Sequence, residues 1–251
     1  MSAPSDGPPT TERPTRGPGR ALQLGELLSV TEAVRLAMRA RALRARGPAA
    51  SPRVVVDLPG WLAPEASMAP LRSYLRRLGH DARPWGFGTN RESPGVARDR
   101  MLPVVDRLVD EVRAPIVMVG WSLGGYVARE VARLRPDAVA GVVTFGSPII
   151  GGPMYTSAAR RTPPEEQARI LEQIAEAEAV APLRCPVTVI YSRRDGVVDW
   201  RACLDHQTPH AVHREVRSTH LGLGIDPDVW EAVADGIERS DPPQEKRVPH
   251  A

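Results

Sequence analysis

From residue 53 onward the chain alternates short apolar runs with longer segments whose apolar positions recur every three or four residues. The short runs, bounded by Gly, Pro or Asp, have the character of strands, and the longer recurrence is that of an amphipathic helix. This pattern predicts strands at Arg53–Leu58, Ala82–Phe87, Pro115–Val119, Val139–Phe145, Pro186–Tyr191 and Ala211–Val216. It predicts helices near Ser67–Leu78, Val96–Val112 with Pro103 in its early part, Leu123–Leu134 and Pro227–Glu238. Strands separated by helix-length segments imply an α/β domain at 51–239, a mostly parallel sheet of about six strands with helices on both faces. The central strands carry almost no internal charge, as strands covered on both sides require.

Three other stretches break the rhythm. Residues 1–21, with five prolines and three glycines in the first twenty, are too polar to offset the entropy of ordering and read as a disordered tail. Residues 22–50 form a helical extension rich in Ala and Arg, divided near Gly25 and Ser29–Glu32, with Thr31 the expected N-cap of a helix running to Arg46. The expected arrangement packs its apolar side on the core and leaves the Arg face in solvent. At 149–183, Gly151-Gly152-Pro153 gives way to a Glu-rich helical stretch over Pro164–Ala179, the size of a small cap above a ligand crevice. Residues 240–251 are a polar C-terminal tail.

Charge narrows the choice of partners. The net charge of +3 is uneven: residues 1–53 hold nine Arg against four acidic residues, and the remainder is slightly acidic. The basic extension lacks aromatic interleaving or a nucleic-acid motif, so no nucleic-acid partner is expected, and 22–46 is a candidate for peripheral membrane contact. No run is long and apolar enough to span a membrane, and the N-terminus lacks the apolar core of a signal peptide. A cytoplasmic location is the default expectation. Cys185 and Cys203 fit neither a disulfide framework nor a metal knuckle, although one bridge between them stays open.

The sharpest local signal is Val119-Gly120-Trp121-Ser122-Leu123-Gly124-Gly125. A serine that attacks a carbonyl must project from a tight strand-to-helix turn, and Gly120 and Gly124 remove bulk two positions to either side. With Ser122 as nucleophile, a base belongs late in the chain, in a loop returning over the sheet edge. His220, in Ser218-Thr219-His220-Leu221-Gly222, has that placement, whereas His80, His206, His210, His213 and His250 do not. The orienting acid belongs after the preceding strand, where Asp195, followed by Gly196, precedes a competitor of possible supporting role, Asp199. The oxyanion donors are the backbone amides of Leu123 and of Trp61, the latter turned inward by Gly60 in Leu58-Pro59-Gly60-Trp61. Trp61 and Trp121 are candidate walls of an uncharged acyl pocket.

Taken together, the order Ser122, Asp195, His220, the Gly-Trp-Ser-Leu-Gly elbow and the Leu-Pro-Gly-Trp loop resemble the α/β-hydrolase superfamily, in particular bacterial lipase- and esterase-like members. The likeness covers about Arg53 to Ile237. It implies an α/β-hydrolase fold with a small helical cap, and the chain departs from the family pattern in that the usual antiparallel strands before the oxyanion strand are not evident, so a trimmed sheet of about six strands is expected. It also implies a serine hydrolase that cleaves a small-molecule or lipid-like ester through an acyl-enzyme, with no cofactor and no metal. A thioesterase or acyltransferase uses the same triad, and a catalytically silent binding module keeps the same fold. Nucleotide binding is disfavoured, because the loop after the first strand has neither glycine-rich phosphate motif.

Overall fold

The computed structural model describes residues 17–157, 181–209 and 211–240, together with positions 165, 169, 172 and 176. The expected tails at 1–16 and 241–251, His210, and most of the expected cap lie outside the described residues. Glu165, Arg169, Glu172 and Glu176 are helical and exposed, so one charged face of that stretch is turned to solvent.

Six strands, β1 (Val54–Leu58), β2 (Asp81–Pro84), β3 (Ile116–Trp121), β4 (Val139–Phe145), β5 (Val187–Ser192) and β6 (Val212–Val216), form one sheet in the order β2-β1-β3-β4-β5-β6. Every pairing is parallel. The helices described along their whole length are α1 (Arg20–Gly25), α2 (Val30–Ala45), α3 (Ala69–Arg77), α4 (Pro94–Val112), α5 (Leu123–Leu134) and α6 (Pro227–Glu238). Alternation along the strands divides the core in two. On β3, Ile116 and Met118 join α4 and α5 on one face, whereas Val117 and Val119 join α3 and α6 on the other. This is the α/β-hydrolase fold in trimmed form.

Several boundaries differ from expectation for local reasons. Strand β2 stops at Pro84, and Trp85 turns into the core with its Nε1 donating to the Gly88 carbonyl at 2.9 Å. Helix α4 starts at Pro94, where a proline lacks no needed donor, and accommodates Pro103 in its interior. The segment expected from Ser67 begins as a 3₁₀ turn, Glu65–Met68, that feeds α3. Thr31 is not an N-cap: a 3₁₀ turn at Glu26–Ser29 carries helical backbone from α1 into α2, and the Thr31 hydroxyl donates backwards to the Leu28 carbonyl at 2.7 Å. Cys185 and Cys203 are both free thiols.

The extension docks by both kinds of side chain: Leu43 is buried in the core with α3 and α6 and Leu36 packs against it, as expected, whereas part of the Arg face is paired and not left in solvent. Arg35 bonds Asp226 and Asp228, Arg39 bonds Asp228 and Glu231, and Arg46 bonds Asp235 and Glu238, a ladder along the acidic face of α6. Leu24, Leu27, Leu28, Val30, Val34 and Met38 are exposed. The Arg-rich composition is thus matched to carboxylates of the same chain.

Among the described residues, the ion pairs Arg72–Asp57 and Arg129–Asp205 are buried, the second more completely. Arg129 of α5 meets Asp205 at 2.5 Å, each side chain 1% exposed, and the other Asp205 oxygen accepts from the Gln207 and Thr208 amides. Burial pushes the Asp205 carboxyl up, but Arg129 and the Thr208 donors outweigh it and hold it at about 2. Its stabilisation is therefore present above the ordinary value of 3.8 and lost as pH falls through about 2. Replacing Asp205 with Ala takes the carboxylate from a buried guanidinium and the acceptor from the Gln207 and Thr208 amides, and is expected to cost about 3–5 kcal/mol in urea unfolding at neutral pH. A loss below about 1 kcal/mol would contradict this assignment.

Candidate active site

The elbow forms because β3 runs straight into α5 with a single residue between them. Ser122 occupies that position at φ 53°, ψ −122°, a sparsely populated backbone region that costs about 1–3 kcal/mol and persists only when its surroundings enforce it. Its amide donates to the Phe145 carbonyl at 2.9 Å. The flanking glycines are sterically required. A Cβ on Gly120 would lie 2.3 Å from Gly125, and one on Gly124 would lie 2.3 Å from the Leu58 carbonyl oxygen. Gly125 is under the same constraint, with a Cβ falling 2.1 Å from the Ser147 hydroxyl.

The loops after β5 and β6 bring Asp195 to His220. His220 Nδ1 and Asp195 Oδ2 are 2.7 Å apart, both residues buried. A carboxylate only accepts, so Nδ1 carries the proton and Nε2 is left unprotonated in the neutral ring. Asp195 Oδ1 accepts from the Val197 and Val198 amides at 2.8 and 2.7 Å, which fixes the direction of the second oxygen. Burial lowers the His220 pKa, and the Asp195 charge and hydrogen bond, with Glu26 adding to them, reverse this and raise it above 6.5. Asp199 is elsewhere: its Oδ1 caps the 3₁₀ turn Trp200–Cys203 by accepting from the Arg201 amide. Of the competing histidines, His80 accepts from the Arg53 amide, and His213 accepts from the Asp205 amide with His206 stacked on it.

Ser122 and His220 line one cavity of about 850 Å³, together with Gly60, Trp61, Trp121 and Leu123. Trp121 lies parallel to Phe145 and 5.8 Å from the His220 ring, forming a wall behind the base. The lining is mainly apolar, with Leu62, Ala63, Pro64, Pro148, Val197 and Leu221 contributing. It is not free of charge as expected, because Arg91 and Glu92 also border it, Glu92 paired with Arg100.

The loop after β1 is braced from below. Gly60 brings its backbone so near the elbow that a Cβ would sit 3.2 Å from Ser122 Cβ. Leu62 has a positive φ of 59°, and its amide donates to the Asn90 carbonyl while Asn90 Nδ2 donates to Pro59. Among the described residues, the Trp61 and Leu123 amides donate to no protein acceptor. Two amides at the cavity thus remain available for an anionic oxygen.

Some contributors had no distinctive local signal in the sequence. At Gly146, φ 57°, a Cβ would lie 2.5 Å from Leu223 Cδ1 and 3.1 Å from His220 Nδ1, so a side chain there would crowd the His220 ring. Ser192 at the end of β5 donates to the Ser218 carbonyl and accepts from the Ser218 amide, tying the loops that carry Asp195 and His220. A glycine directly after β4 was the one available hint, since that strand ends at the same sheet edge as the elbow.

No protein-family model matches the chain, and no curated protein does. Solved structures do match. A monoacylglycerol lipase from Paleococcus ferrophilus is 17% identical, with a TM-score of 0.56, over 76% of this chain and 96% of that one. The metagenome-derived lipolytic enzymes LipS and LipT give 18% identity and a TM-score of 0.55 over 75% and 92%. A lin2722 gene product of Listeria innocua gives 13% and 0.60 over 77% and 96%. These likenesses are of fold: the chain has the α/β-hydrolase fold.

Gly124→Ala tests the elbow sterically. Its methyl group meets fixed backbone, so an overpacking loss of about 1–3 kcal/mol or more is expected in thermal or urea unfolding. Unchanged stability would contradict the tight packing of the elbow on the loop after β1.

Proposed function

We propose that the protein is a serine hydrolase that cleaves a carboxylic ester through an acyl-enzyme. The observation that carries this reading is a strained Ser122 sharing one cavity with a His220 whose far nitrogen is held by Asp195. Its resemblance in fold to lipolytic enzymes supports the choice of substrate class.

As the Ser122 Oγ attacks the ester carbonyl, its proton passes to His220 Nε2, and a new C–O bond forms while the carbonyl π electrons move onto oxygen. The Trp61 and Leu123 amides receive that oxyanion. Collapse of the tetrahedral species expels the alcohol, which takes the proton from His220 and leaves an acyl-Ser122. His220 then deprotonates water, whose oxygen attacks the acyl carbon, and the second collapse releases the acid and returns the proton to Ser122. Asp195 stays ionised throughout and keeps the imidazole in the useful tautomer. The mainly apolar cavity favours an uncharged acyl group, which desolvates at lower cost than an ionic one.

Ser122→Ala is expected to lower kcat on a p-nitrophenyl ester by at least about a thousandfold without loss of fold. Substantial residual turnover in that variant would overturn the nucleophile assignment. Because the base must be neutral, and the His220 pKa is raised, kcat/KM should fall with decreasing pH through a value above 6.5. A pH profile with its acid limb below that value would contradict the Asp195–His220 pairing as the source of the base.

A further inference from the structure

The catalytic acid and base sit on separate loops, after β5 and β6, and a third element reaches both. The Glu26 carboxylate, in the 3₁₀ turn between α1 and α2, accepts from the Gly196 amide at 2.7 Å on the acid loop. The same group accepts from the His220 amide at 2.9 Å and the Leu221 amide at 2.9 Å on the base loop. Hydrogen bonds to an ionised acceptor are the stronger kind, and three of them converge on one side chain. We propose that Glu26 is a positioning residue that clamps the acid and base loops in register, the N-terminal extension acting as a built-in part of the catalytic apparatus. This rests on the serine-hydrolase reading above.

Close approach of the extension supports the clamp independently. A Cβ on Gly196 would lie 2.3 Å from the Leu22 carbonyl oxygen and 2.9 Å from Glu26 Oε1. Gly196 has no positive φ, so its value at the acid loop is the space it leaves for this segment. On the base loop, the buried Glu32 accepts from the Thr219 amide at 3.2 Å, and a Cβ on Gly222 would lie 2.7 Å from the Glu32 carboxyl carbon. The arginine ladder to α6 fixes the extension from behind. Glu26 does not border the cavity, so it acts on His220 and not on substrate.

Two effects of Glu26 are separable. Its bonds hold the loops, and its charge favours protonated His220. Asp195 from the acid loop and Glu26 from the extension are the charged groups that act on the His220 ring, and both raise its pKa. Glu26→Gln removes the charge but retains an oxygen for the Gly196 and His220 amides. Glu26→Ala removes both.

The test compares wild type, E26Q and E26A by NMR titration of the His220 ring nitrogens, assigned with H220Q, and by steady-state turnover of a p-nitrophenyl ester. Expected are a lower His220 pKa in both variants and a kcat reduced roughly tenfold to a hundredfold in E26A, less in E26Q. KM should stay within about twofold, the mark of lost positioning and not lost binding. An unmoved His220 titration in E26Q, or a wild-type kcat in E26A, overturns the proposal. Should E26A fail to fold, E26Q decides it by a shifted titration together with a reduced kcat, and by the absence of either against it. A wild type that turns over no ester sinks the hydrolase reading instead, while the NMR titration still reports whether Glu26 acts on His220.

Discussion

Because Asp195 gives one carboxylate oxygen to the amides of its own loop, its other oxygen has a fixed direction, and His220 is held against it in one tautomer. The rest of the site depends on that bond. A buried histidine without the carboxylate would lose protons too readily and turn freely, and a buried carboxylate without the histidine would face apolar surroundings alone. The parallel sheet makes the encounter possible. All six strands point the same way, so the loops after β3, β5 and β6 emerge at one edge, and residues far apart in the chain meet there.

Steric exclusion does the complementary work on the nucleophile. Ser122 is kept in its strained conformation because the backbone of β1, the start of α5 and the loop after β4 leave no room for side chains at Gly120, Gly124 and Gly125. The strand before Ser122 lies in a sheet buried on both faces, and the helix after it carries Arg129, which pairs with Asp205 of the chain that follows the Asp195 loop. Thus the pair that stabilises the domain also joins the helix behind Ser122 to the segment that carries the acid.

The readability of these features in the sequence follows their range. Helices α5 and α6 and the elbow were legible to the residue, because local apolar periodicity and glycine spacing define them. The sheet's parallel character followed from the alternation of strands and helices. The meeting of Ser122, Asp195 and His220 could be read because each lies just after a strand, β3, β5 or β6, that ends at one sheet edge. Thr31 misled because a helix can continue through a 3₁₀ turn, which leaves a good capping residue inside it. The docking of α2 by its arginines was hidden for another reason: its partners lie about 190 residues away on α6, with no local mark to select them over solvent. Glu26 was invisible on the same ground, since it matters only through a surface created by folding, and Gly146 had only its place directly after β4 to mark it.

The central claim is that Ser122 is an activated nucleophile and His220 its base. Mass spectrometry after exposure to a fluorophosphonate measures this directly and does not require the natural ester. The account predicts stoichiometric modification at Ser122 in the intact protein, a large drop in labelling rate in H220A, and none at that site in S122A. An unmodified wild type, or an adduct on another residue with Ser122 untouched, would contradict it.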